Sequence, residues 1–141
     1  MAWNSKPNYA PGNLTVNEGY VPAYQASGKP YAQTITGSTS AGGTEVVFPT
    51  VTRWLQVTNL GTSGQDIRIA FSAHGVDGTV DDYFYRLEPS TDGTGTTGRL
   101  ELKCKSIFVK SVSGSPIVSI IAGLTDIADL NTTLSGSVGV G

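Results

Sequence analysis

The sequence predicts an all-β protein, a two-layer antiparallel β-sandwich carrying an extended N-terminal arm. Three observations lead there. Glycine (18), threonine (17) and serine (14) together exceed a third of the 141 residues, which suits short strands joined by many turns. Charged residues make up 14%, against about 25% in an average soluble domain, so the Glu/Lys-rich make-up of a coiled coil or long helical bundle is excluded. In the middle of the chain, apolar residues recur at every second position, the period of a strand buried on one face.

Residues 1–33 form the arm. They hold four of the seven prolines (Pro7, Pro11, Pro22, Pro30) and four of the six tyrosines (Tyr9, Tyr20, Tyr24, Tyr31). Proline at this density opposes helix and ladder alike and favours extended backbone. Trp3, Tyr9, Tyr20, Tyr24 and Tyr31 are large rings, most with a polar end, the residue types that anchor an extended segment on another surface. The expectation is an arm that docks on a neighbouring subunit through these five side chains.

Residues 34–124 form the sandwich body, with eight short strands expected. Thr52–Asn59 places Leu55 and Val57 on one face. Asp66–Ser72 places Ile67, Ile69 and Phe71 inward and Asp66, Arg68 and Ser72 outward. Arg99–Lys105 repeats the pattern with Leu100, Leu102 and Cys104 inward. Ser106–Val112 and Pro116–Ala122 are more continuously apolar, as expected of strands covered on both sides. Gln33–Thr36, Glu45–Phe48 and Tyr83–Glu88 are shorter candidates. Asn59–Gly64 reads as the loop of a hairpin, Ser113–Pro116 as a second tight connection, and residues 73–82 and 90–98 as longer loops. A jelly-roll-like order of strands is expected, with an Ig-like order as the alternative.

Residues 125–141 make a short turn, capped by Thr125 or Asp126, and a glycine-rich tail.

Charge and motifs exclude several functions. With 9 basic and 11 acidic residues, net −2, the chain lacks the basic surface that displaces counterions from phosphates, so no direct nucleic-acid partner is expected. No apolar stretch approaches the roughly 18 residues of a membrane span, and the start lacks a signal-peptide core, so synthesis in a cytoplasm is expected. A single cysteine, Cys104, agrees with this and falls on an inward strand position, where a thiol is inert. His74 is the only histidine, and no Gly-x-Ser-x-Gly elbow surrounds Ser63 or Ser72, so no catalytic site is expected. Asp77, Asp81 and Asp82 could offer oxygens to calcium, but their spacing matches no EF-hand and reads as a solvated turn. No cofactor or metal is expected.

Phe48–Gly61 and Leu100–Val109, with the aromatic arm before them, resemble in style the small structural proteins of tailed-phage particles, in particular capsid decoration (cement) and minor capsid proteins with a β-sandwich body. The resemblance implies a virion protein made in the host cytoplasm. It would bind the major capsid protein and its own neighbours, often as a trimer, and brace joints between capsomers. The alternative is a carbohydrate- or receptor-binding module of a viral tail or fibre. For it, Tyr83 and Tyr85 beside the acidic loop would supply two rings, with Phe84 facing the opposite way.

Overall fold

The computed structural model describes residues 28–78 and 83–128. Seven strands and one short helix follow in the order β1 (Lys29–Thr36), β2 (Thr44–Val47), β3 (Thr52–Asn59), β4 (Ile67–Ala70), α1 (Ala73–Asp77), β5 (Tyr85–Leu87), β6 (Ser106–Ser111) and β7 (Ile117–Leu124). A three-stranded sheet has the order β1-β7-β3 and a four-stranded sheet the order β2-β6-β4-β5, with every pairing antiparallel. The protein is the expected all-β sandwich. β1 starts at Lys29, so it takes in the last residues of the segment that composition marks as the arm.

The two sheets bury one another's alternate residues. Leu55, Val57, Val118, Ile120 and Ala122 of the first sheet meet Val46, Ile67, Ile69, Ile107 and Val109 of the second in a single apolar cluster. Phe48, fully buried, takes the Tyr31 ring edge-on at 5.2 Å between centroids and closes the core beside β1. An aromatic pair of this kind adds about 0.5–1.5 kcal/mol beyond its burial.

The tight connections depart from the hairpin expectation. Residues 60–66 join β3 of one sheet to β4 of the other, and residues 112–116 likewise carry the chain from β6 to β7 across the sandwich. Asn59 explains the first crossing. Its buried side chain donates to the carbonyls of Gln65 (2.8 Å) and Leu87 (3.2 Å) and accepts from the Gly61 amide (2.9 Å), so the end of β3 is fastened to the opposite sheet. The two loops also hold each other, because Val112 N–H donates to Asp66 O and Ser113 Oγ to Gly64 O.

Residues 99–105 are not a strand. Leu100 makes an isolated bridge with Leu55, and the chain then turns, Leu102 N–H donating back to Leu100 O at 3.1 Å. Thr52 stands in for the missing ladder. Its hydroxyl donates to Leu102 O (2.7 Å) and accepts from Cys104 N–H (3.0 Å), while its own amide donates to Cys104 O (3.0 Å). Only Cys104 of the three expected inward residues is buried; Leu100 and Leu102 are half-buried.

Side-chain directions differ from expectation around β4. Phe71 is exposed, because β4 ends at Ala70 and the chain turns into α1. Ser72 is buried as the N-cap of α1, its Oγ accepting from Gly75 N–H at 2.9 Å, and Gly78 closes the helix in the left-handed region at φ 61°. Residues 73–77 therefore form a helix where a loop was expected. Asp66 is buried because Arg86, on the neighbouring β5, lies over it and donates from Nε (2.7 Å) and Nη2.

Candidate functional site

The phase of the three-stranded sheet follows from two hydrogen bonds at its end. Gly37 N–H donates to Pro116 O (2.7 Å) and Leu60 N–H to Ile117 O (2.8 Å). Bonded pairs recur every second residue in an antiparallel ladder. In the β1–β7 register the bonded pairs are therefore Ile35 with Val118, Gln33 with Ile120 and Tyr31 with Ala122. The N–H and C=O groups of Ala32, Thr34 and Thr36 point away from β7, into the open edge. Among the described residues no strand pairs with that edge.

The outer face of the same sheet carries Ala32, Thr34 and Thr36 from β1, Ile117, Ser119 and Ile121 from β7, and Gln56 and Thr58 from β3. Ile117 is 51% exposed and Ile121 47%. None of these eight side chains is charged. Charge lies at the rim, where the Arg99 guanidinium stacks 5.0 Å from the Trp54 ring and Lys29 forms an ion pair with Asp126. The run Pro116–Ala122 was expected to be covered on both sides. In the structure one side is buried in the core while Ile117 and Ile121 on the other stay exposed, because α1 packs on the other sheet. The signal was present as Ile117 and Ile121, four apart within an apolar run, but a buried and a bare outer face have the same sequence.

Of the five arm residues, Trp3, Tyr9, Tyr20 and Tyr24 lie outside the described residues. Tyr31 is on β1, half-buried, with its ring on Phe48 and its hydroxyl donating to Gln33 Oε1. Gly28, the first described residue, lies against the backbone of Gly123 at the end of this sheet.

The remaining candidates are structural in their surroundings. Asp77 is held by Lys110 (2.7 Å) and the Gly42 amide (2.8 Å), and these bonds keep its carboxyl below the ordinary value; Asp81 and Asp82 lie outside the described residues. Arg68 donates to Asp77 O and covers the Phe84 ring at 4.4 Å, so Phe84 is half-buried against Arg68 and Gly78 while Tyr83 and Tyr85 stay exposed. The Ser72 hydroxyl serves as a helix cap and His74 is exposed on α1. Burial pushes the Cys104 thiol up, with Thr52 Oγ1 3.4 Å from its sulfur. Among the described residues no three His, Cys, Asp or Glu side chains gather as metal ligands, and no helix is long and apolar enough to cross a membrane.

In comparisons with known proteins, no protein family, curated protein or solved structure matches this chain.

Proposed function

We propose that the chain is a structural component of a virus particle, a capsid decoration (cement) or minor capsid protein that stabilises the shell by binding the major capsid protein and its own neighbours. The observation that carries this reading is the uncharged outer face of the β1-β7-β3 sheet, with Ile117 and Ile121 exposed at its centre. A low-charge face with apolar residues in its middle suits a surface that works against a partner. Residues 1–27 precede Gly28, which lies against this sheet, and in this reading their Trp3, Tyr9, Tyr20 and Tyr24 dock on neighbouring subunits as a second point of attachment. A ligand that binds only the assembled shell stabilises it by mass action.

The test is made on gradient-purified particles from the source that encodes the chain. Quantitative mass spectrometry is expected to find it in a fixed ratio to the shell's most abundant protein, and a chain lacking residues 1–27 is expected to bind particles more weakly while its body stays folded. Absence of the chain from the particles overturns the reading. The exposed Tyr83 and Tyr85 favour the carbohydrate-binding alternative. Glycan binding that survives removal of residues 1–27 and is lost in a Tyr83→Ala, Tyr85→Ala double variant would support that instead.

A further inference from the structure

Each sheet edge can be compared for its capacity to take another strand. β3 has its free side engaged by residues 95–104, through the Leu55–Leu100 and Thr58–Thr96 bridges and the Thr52–Cys104 hydrogen bond. β2 is four residues long, carries Glu45 and runs into Pro49; β5 is three residues long and carries Arg86. Short strands, charges and proline are the usual means of keeping an edge from pairing. β1 has eight residues and no charge from Pro30 to Thr36. Its far side, unpaired among the described residues, presents the amides and carbonyls of Ala32, Thr34 and Thr36 in a row, the arrangement that strand addition requires.

We propose that β1 is a self-association edge, on which β1 of a second copy of this chain pairs antiparallel about a two-fold axis at Thr34. The occupant follows from the strand's own chemistry. A two-fold contact needs a self-complementary surface, and an uncharged strand with equivalent donors and acceptors on alternate residues is one. Its one charge, Lys29, lies at the end and is ion-paired with Asp126, so the two-fold sends the two lysines to opposite ends of the ladder. The register follows from Pro30, which has no N–H. Centring on Gln33 would set Thr36 against Pro30 and leave a Thr36 carbonyl without a donor. Centring on Thr34 pairs Thr34 with Thr34 and Ala32 with Thr36, so that all three outward amides on each copy find a carbonyl. Directly opposed threonines are also a favourable cross-strand pair. The result is one continuous sheet in the order β3-β7-β1-β1-β7-β3, with the two uncharged outer faces side by side. This contact makes dimers, in place of the trimer implied by the phage-protein resemblance, and it stands independently of the virion reading.

The full chain is used for the test. Sedimentation equilibrium is expected to show a monomer–dimer equilibrium. Thr34→Lys, which sets two like charges opposite one another and leaves the β1–β7 backbone ladder intact, giving up only the Thr34–Ser119 hydroxyl contact, is expected to weaken the dimer by about tenfold or more, a difference of about 1.4 kcal/mol, with an unchanged circular dichroism spectrum. The register is read by oxidation with diamide. Thr34→Cys is expected to cross-link between copies, since bonded antiparallel pairs lie about 5.5 Å apart, within disulfide reach. Ala32→Cys is not, since the two copies of residue 32 would be about 14 Å apart. A monomeric or trimeric wild type, a Thr34→Lys dimer as tight as wild type, or cross-linking at residue 32 but not 34 overturns the proposal.

Discussion

Lys110 Nζ donates to Asp77 Oδ1 across 2.7 Å, with the two side chains only 17% and 19% exposed. The same oxygen accepts from the Gly42 amide at 2.8 Å, and the Asp77 carbonyl accepts from Arg68 Nη1 at 2.7 Å. One residue thereby ties α1 to β4, to β6 and to the loop before β2.

The Lys110 hydrogen bond first, and the Gly42 amide second, hold the Asp77 carboxyl below its ordinary 3.8. A carboxyl lowered in the folded state contributes stability that is fully present above its unfolded value and is lost as pH falls through the lower, folded one. Asp77→Asn is therefore expected to be less stable at neutral pH, with the deficit shrinking as the pH drops below about 4. Urea midpoints measured across that range check this; parallel pH curves for variant and wild type would sink it.

Thr52 should be sensitive to the loss of a single oxygen. Thr52→Val keeps the shape but leaves Leu102 O and Cys104 N–H without their buried partner. The expected loss is about 1–3 kcal/mol, and Thr52→Ser, which retains the hydroxyl, should recover most of it. Equilibrium denaturation of the two variants makes the comparison, and equal stabilities would contradict the role assigned to the hydroxyl.

Gly123 lies beneath the Trp54 ring, and a Cβ built there would overlap the indole. Gly123→Val is expected to destabilise the body by about 1–3 kcal/mol through this overlap, although valine is the better strand former. If Trp54→Ala is introduced first, the penalty at residue 123 should fall. A double-mutant cycle that shows simple additivity would refute the contact as its cause.

Cys104 is 7% exposed and burial pushes its thiol up. The native protein is expected to resist thiol reagents at mildly alkaline pH and to react at the rate at which it unfolds. Labelling that is faster than unfolding, as timed by tryptophan fluorescence, would show that the thiol is reached from the folded state.

Much of the sandwich was legible in the chain. Thr52–Asn59 is a strand with the expected bounds, and Leu55 and Val57 fall on its buried face because alternation records which side meets the core. Asp66, Ser72 and residues 99–105 were not legible in the same way. Asp66 is buried by Arg86, twenty residues distant, Ser72 by the helix it caps, and the 99–105 segment is bent away from a ladder by the Thr52 hydroxyl. Each depends on a partner that local pattern does not name.

Composition and period two were enough by themselves to set an all-β class and the buried face of Thr52–Asn59. The partner of each strand was decided only in three dimensions. The tight loops after β3 and β6 look like hairpin loops, yet both cross between sheets, because a strand's alternation is satisfied equally by any neighbour that covers its apolar face. The exposed side of β7 and the edge of β1, unpaired among the described residues, belong to the same category. An apolar run and an uncharged strand are local properties, whereas being left uncovered depends on where every other element has gone.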